Sequence, residues 1–331
     1  MVLLAEIIGL RLKPPHFYHQ VWTHSMLNFI FRRFLQSIPT LLVLTMLTFA
    51  LMYMAPGSPF LTEKGMPDQV LANINAKYHL DLPVWEQYLI YLGNLVQGDL
   101  GPSFRYLDFS VNDLVWPSLK VSATIGGWAL LIAVTLGITM GMLAALNQNK
   151  WLDYTLMTTA MAGIVLPTFV MAPLLVLLFS YKVKWLPAGG WHDGDWQYLV
   201  LPVFSMATHL VAQIARITRG SLIEVMSSNF IRTAQAKGLP YRTIILRHAF
   251  KPMMLPVVSY LGPLFVGVLT GSVIIDVFFG TGGIGQHFVN GAINRDYSMV
   301  MGVTVLVGVL YIVFNALTDI LYAYIDPKIR Y

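Results

Sequence analysis

Six apolar stretches constrain this chain more than any other feature: Phe34–Met54, Val121–Leu146, Leu156–Ser180, Tyr198–Ile217, Met253–Phe279 and Ser298–Ile325. A helix of about 20 apolar residues crosses the hydrocarbon of a bilayer. In lipid each backbone N–H and C=O must be satisfied within the protein, which a helix does by itself. The sequence therefore predicts an all-α polytopic membrane protein with six transmembrane helices. Composition agrees: 56% of the 331 residues are hydrophobic and 11% charged, against roughly 25% charged in soluble domains. With no cysteine, structural disulfides, thiol nucleophiles and Cys-based zinc or iron–sulfur sites are excluded.

Between the spans, charge gives direction. Seven lysines and arginines fall between Arg216 and Lys251. Arg11, Lys13, Arg32, Arg33, Lys150, Lys328 and Arg330 share that side if both termini do. The opposite side holds Lys64, Lys77, Arg105, Lys182, Lys184 and Arg295, with Lys120 at a span edge. The positive-inside rule then puts the termini and the basic segment in the cytoplasm, and residues 56–116 on the other side. In that outer segment Asp68–Lys77 and Pro83–Val96 read as two surface helices, the second with an apolar face carrying Tyr88, Tyr91 and Leu92. In the second span, Gly137 and Gly141 form a small-xxx-small face for close helix packing. Pro167 and Pro173 make the third span kinkable. Residues 1–25 read as an extension: Pro14-Pro15 breaks the apolar run Val2–Leu12, which has no basic region before it.

The polar interruption Arg216–Pro256 is the centre of the reading. Leu222, Met226, Phe230 and Ala234 stand four apart, one stripe on a helix. Gly238 suits the left-handed position after a helix end, and Pro240 the first turn of the next helix. Tyr241, Ile245 and Ala249 stripe that second helix. The segment is expected to be a helix–Gly–helix on the membrane surface.

This loop resembles that of ABC importer permeases, in which a Glu-Ala-Ala run precedes a fixed Gly and a later Leu-Pro. Arg232-Thr233-Ala234 stands in for Glu-Ala-Ala, and Gly238 and Leu255-Pro256 match the rest. With Gln235, Ala236, Lys237, Leu239 and Pro240 this looks like the variant of peptide-importing permeases. Leu92-Gly93-Asn94-Leu95, Gly98-Asp99-Leu100-Gly101 with Ser103-Phe104, and the ending Phe314-Asn315-Ala316, Asp319, Tyr322, Asp326-Pro327-Lys328-Ile329-Arg330 resemble the oligopeptide-importing members. Together the matches run from about Met26 to Tyr331. The resemblance implies a type I permease bundle with a cytoplasmic coupling helix, Ala234 lying in the knob that meets the ATPase. Its divisions would be residues 1–25 as extension, 26–55 as first span, 56–116 as outer loop and 117–331 as core, with the coupling loop at 216–252. It further implies a second homologous permease, two cytoplasmic ATPases that bind the ATP and Mg, an extracytoplasmic peptide-binding protein, and a peptide substrate, in a bacterial inner membrane. No cofactor is expected in this chain, and no nucleic acid. Within the family, dipeptide and nickel importers remain alternatives.

Other motifs carry less. Gly280-Thr281-Gly282-Gly283-Ile284-Gly285 fits G-x-G-x-x-G, but a membrane span precedes it where a dinucleotide site needs a strand, and Gln286 stands where a P-loop needs Lys. Asp276 with Gly283-Ile284-Gly285 instead resembles the permease pattern Glu-x-x-Phe-x-x-Pro-Gly-x-Gly, with Asp for Glu and Gly282 for Pro; those departures leave Asp276 without an assigned role. Asp276, Asp319 and His209, polar groups in or near spans, are functional candidates because burying them is costly; Asp319 lies on the sixth span, His209 and Arg216 on the fourth. A self-contained ion-driven carrier is the competing class; such carriers usually show inverted repeats and midplane acids, whereas here no repeat shows and most acids lie in loops. An integral membrane enzyme is the third, without a visible active site.

The orientation is testable directly. Single cysteines at Gln69 and Gly190 are expected to react with an impermeant thiol reagent added outside spheroplasts, and one at Ser228 not to react. Labelling of Ser228 from outside would put the basic loop on the wrong side.

Overall fold

The computed structural model describes residues 16–54, 72, 75–106, 108–270 and 273–325, with side chains from Leu35 to Leu321. Twelve helices matter here: α1 (His16–Met54), α2 (Val84–Val96), α3 (Val111–Leu146), α4 (Trp151–Val165), α5 (Thr168–Leu175), α6 (Trp196–Met226), α7 (Asn229–Ala236), α8 (Tyr241–Thr243), α9 (Phe250–Leu269), α10 (Val273–Phe279), α11 (Ile284–Ile293) and α12 (Tyr297–Ile325). Among the described residues five helical runs are long and apolar enough to span, six if a bent pair counts as one. The bundle is thus all-α, as the apolar runs predict.

The bent pair corrects the third span. α4 and the run Thr168–Lys182 meet at 97°. Leu166 takes extended geometry (ψ 111°) before Pro167 (ψ 146°), because a proline ring disfavours helical geometry in the residue ahead of it. Beyond α5 the chain loosens into a π-helical turn, Val176–Lys182. What reads as one kinkable helix is two half-helices.

Two other spans start or end outside the apolar runs. α3 begins at Val111, ten residues before Val121, because Ser110 and Asp113 form a reciprocal capping box. α6 continues past Ile217 to Met226, carrying the first turns of the basic segment with it. α1 opens directly after Pro14-Pro15 and runs through Met26 without interruption.

The core sits between α3 and α6, with Ile125, Ala129 and Ala133 of α3 against Val203, Leu210 and Ile214 of α6. Gly137 and Gly141 are buried there. A Cβ on Gly137 would lie 2.7 Å from Ile214 Cβ, and one on Gly141 2.5 Å from the Ala215 carbonyl oxygen. The absence of side chains lets the two backbones touch, which is how membrane helices associate without a hydrophobic drive between them. Gly126 against Val268 on α9, and Gly163 of α4 against Thr208, repeat the device on other faces of the bundle. Gly267, by contrast, faces open space.

α1 rests on α12, where Leu41 and Leu44 close over Gly308. Its other face exposes Leu42, Met46, Leu47 and Leu51, as suits contact with lipid. On α2, Tyr88, Tyr91 and Leu92 are half-buried. Tyr88 bonds Thr45 Oγ1 at 3.0 Å and the Leu42 carbonyl at 3.2 Å, midway along α1, so α2 is pinned to its own chain. Asp68–Lys77 falls largely outside the described residues.

The glycine seam gives a contrast within one helix. Gly141→Ala is expected to cost about 1–3 kcal/mol through overpacking, lowering the melting temperature of the purified protein in detergent. Gly127→Ala, on the open face of α3, should leave it unchanged or raise it slightly. Equal effects at both positions would contradict the contact.

Candidate functional site

The basic segment is built differently from its sequence pattern. Ser227 and Ser228 end α6: their hydroxyls donate to the carbonyls of Glu224 (2.7 Å) and Val225 (2.6 Å). Such local bonds compete with helix continuation. A separate short helix, α7, then starts at Asn229. The stripe Leu222–Met226–Phe230–Ala234 is therefore split. Leu222 and Ala234 do face inward, but Ile231 takes the third place, and Phe230 is 48% exposed. α7 ends at Ala236 with Lys237 as its cap, and Gly238 follows at φ 71°. Its N–H donates to Gln235 O (2.9 Å) and that of Leu239 to Ala234 O (3.3 Å). This is a Schellman closure, which requires the left-handed residue that glycine supplies.

After Pro240 the chain does not form a separate surface helix. α8, a π-helical stretch Ile244–Ala249 and α9 run on without a break into the fifth span. Ile245 and Ala249 are buried as their stripe predicts, whereas Tyr241 is 54% exposed.

α7 is thereby clamped between two spans. Leu222 of α6, Ile231 and Ala234 of α7, Ile244, Ala249 and Met253 form one buried cluster, and Ser221 Oγ donates to the Met253 carbonyl at 3.0 Å. Ala234 thus packs on its own chain instead of projecting from it. The face that projects carries Arg232, Thr233 and Ala236, flanked by Phe230, Gln235, Lys237 and Leu239, all exposed.

Beside this hairpin lies an ion pair that the sequence reading passed over. Arg219 Nε and Nη2 meet Asp153 Oδ1 and Oδ2, each at 2.7 Å. Asp153 is buried, and its Oδ2 also accepts the Asn149 N–H at 3.0 Å. The bidentate pair ties the start of α4 to the lower part of α6, and bidentate geometry gives direction as well as strength. An acid three residues ahead of the apolar run Leu156–Ser180, at the edge of a span, was the available signal.

Asp276 has a structural place. It is 1% exposed and accepts from Ser122 Oγ (3.1 Å), Thr281 Oγ1 (2.8 Å) and the Gly285 N–H (3.1 Å). Ser122 in turn accepts the Ile284 N–H at 2.9 Å. A Cβ on Gly283 would lie 2.5 Å from the Asp276 carboxyl. The glycine-rich turn thus closes around a carboxylate at the start of α11, where helix N–H groups favour an anion. A phosphate would find that place taken. A second buried acid, Asp296, caps α12 through the Met299 N–H (3.1 Å) and accepts from Ser103 Oγ, fixing the outer loop to the bundle.

The remaining candidates are dispersed. His209 is half-buried on α6, with Nε2 2.6 Å from the Gln213 carboxamide nitrogen. Asp319 is half-buried on α12, next to Thr318, which packs on Gly262 of α9. His209, Asp276 and Asp319 lie on three different helices. The Asp326–Arg330 ending falls outside the described residues.

Residues 137–331 match the family described as "Binding-protein-dependent transport system inner membrane component", and residues 26–108 the corresponding N-terminal family. The oligopeptide transport system permease protein OppB of Haemophilus influenzae is 57% identical over 306 residues, 92% of this chain and 100% of the relative. OppB of Escherichia coli K12 is 58% identical over the same shares. The dipeptide transport system permease protein DppB of Bacillus subtilis is 41% identical over 92% of this chain and 98% of its own length. In fold, the chain is similar to a chain of the methionine ABC transporter MetNI in an inward-facing form, with TM-score 0.50 and 16% identity over 64% of this chain and 94% of that one. With family matches in both halves and relatives this similar across their full length, the chain belongs to the inner-membrane permease components of binding-protein-dependent ABC importers.

Proposed function

We propose that this chain is one of two permease subunits of an ATP-driven oligopeptide importer. The observation that carries the substrate class is the gap in identity: 57–58% to oligopeptide permeases against 41% and 34% to two dipeptide permeases. Its partners on this reading are a second homologous permease, two cytoplasmic ATPases that bind ATP and Mg, and an extracytoplasmic peptide-binding protein. Both termini and α7 lie on the cytoplasmic side, on the strength of the lysine and arginine distribution.

The loop Arg232–Pro240 is the coupling element, and α7 is its knob. An ATPase pair that closes on ATP and reopens after hydrolysis moves whatever is docked on it. Because α7 shares a buried cluster with α6 and α9, its displacement carries both spans, and rigid rocking of packed helices alternates access. The burial of Ala234 and the exposure of its neighbours support a different contact within the loop. Arg232, Thr233 and Ala236 form the docking face, while Ala234 and Gly238 hold α7 in shape.

Two substitutions two residues apart separate these roles. Ala236→Glu is expected to leave membrane abundance unchanged while reducing ATPase co-purification and peptide uptake about tenfold or more, since it desolvates an unpaired charge in the contact. Ala234→Asp is expected to lower abundance itself, because the charge enters the chain's own core. Gly238→Val, strained by about 1–2 kcal/mol at its positive φ, should still reach the membrane. Normal uptake with Ala236→Glu would remove the docking assignment.

A further inference from the structure

Among the long spanning helices of the described residues, α6 is the most enclosed and the least apolar. One face of it behaves differently from the rest. Ser205, His209, Gln213, Arg216 and Gly220 follow one another at three- and four-residue spacing, which places them on a single stripe. Along that stripe burial falls steadily: Ser205 is 0% exposed, His209 and Gln213 are half-buried, and Arg216 and Gly220 are exposed. The neighbouring faces are filled. α3 covers Val211, Ile214 and Thr218, and α4 covers Thr208, where its Gly163 makes close contact; Ala212 and Ala215 pack with Ala160. α9 contributes Val257 and Val268 to the cluster around Met206 and Leu210.

The stripe sits at a telling depth. His209 is thirteen residues beyond Trp196, about 20 Å along the helix axis, so the polar groups occupy the middle and cytoplasmic half of the span. His209 and Gln213 hold each other at 2.6 Å, and Arg216 Nη2 reaches Met161 Sδ at 3.2 Å. A thioether is a weak acceptor and leaves a guanidinium with most of its donors to satisfy. In a bilayer such groups face a water-filled cavity or protein, not hydrocarbon. The faces suited to lipid are elsewhere, on α1 and on the Leu131–Leu136 side of α3.

We propose that His209, Gln213 and Arg216 are the part of this chain that lines the aqueous path, His209 and Gln213 bonding passing main-chain amides and Arg216 the peptide carboxylate. The chemistry suits a cargo of varied side chains. A carboxamide and an imidazole offer one donor or acceptor to any amide, whatever residue bears it, and a guanidinium pairs with a carboxylate. Widening of the stripe toward the cytoplasm, where Gly220 adds no side chain, gives the cargo an exit. This inference rests on the importer reading above for its cargo, though not for its water.

The chain holds no cysteine, so single replacements report cleanly. The assembled complex in inside-out vesicles carries Gln213→Cys, Arg216→Cys or, as a lipid-facing control, Leu136→Cys, and is treated with a charged methanethiosulfonate. Thiols in water ionise and react; those in hydrocarbon do not. The two stripe positions are expected to react at least about tenfold faster than the control, and a transported tripeptide should slow them without changing the control. Rates equal to the control would overturn the aqueous path. Fast labelling that the tripeptide leaves unchanged, in a complex that takes the tripeptide up, would overturn the peptide contact. If the cysteine-free complex takes up no peptide, the oligopeptide assignment fails instead, while the labelling contrast still decides the path. Gln213→Leu adds a second readout: uptake is expected to fall severalfold at unchanged abundance and ATPase content and to be restored in Gln213→Asn; normal uptake in Gln213→Leu would contradict the contact.

Discussion

The backbone contact between α3 and α6 at Gly137 and Gly141 is the constraint on which the rest of the bundle depends. With Cβ positions that would fall 2.7 and 2.5 Å from α6 atoms, nothing larger than hydrogen fits between the two spans. In lipid, where burying apolar surface gains little, such proximity supplies the dispersion contacts that hold helices together. It also makes α6 a central rod, gripped by α3 on one face, α4 on the next and α9 on a third. Along its middle and the part nearer α7, the face these helices leave uncovered carries His209, Gln213 and Arg216.

A rod fixed at its middle transmits what happens at its end. Arg219 and Asp153 lock the lower part of α6 to α4 with two 2.7 Å contacts. One turn further on, Leu222 enters the cluster that holds Ile231 and Ala234 of α7 and Met253 of α9. Packed clusters rearrange between discrete states more readily than they deform. On the importer reading, the docked knob on α7 and the salt bridge and polar stripe on α6 are therefore successive stations along one packed unit. Away from α7, Asp276 and Asp296 serve a different purpose: each accepts a backbone N–H and a serine hydroxyl, closing turns that would otherwise leave buried donors unpaired.

Much of this was legible in the sequence, and the failures have physical causes. Apolar run length found the spans because lipid demands them, and the Gly137–Gly141 spacing found the seam. Gly238 was readable because few residues accept φ 71°. The 97° break in the third span was not readable from hydropathy, which is blind to direction; only the restriction Pro167 places on Leu166 hinted at it. The four-residue stripe through Phe230 failed because it assumed a continuous helix, and the side chains of Ser227 and Ser228 end that helix with their own bonds. The stripe still put Ala234 on the inward face with Leu222, where it lies; its outward placement came from the family resemblance and not from the stripe. Asp153 and Arg219 are 66 residues apart, and only the fold brings them together.

The central claim is that α7 and α6 move as one body when ATP is bound and hydrolysed. Spin labels at Gln235 on α7 and Phe204 on α6, both exposed positions, measure it in the assembled complex by pulsed dipolar spectroscopy. A single distance distribution, the same in the nucleotide-free and vanadate-trapped states, is expected while α7 labels in the complex change their distance to labels on the ATPase of the other permease. A Gln235–Phe204 distribution that shifts or splits between the two states would show that the hairpin swings independently of the span, and would contradict coupling through the shared cluster.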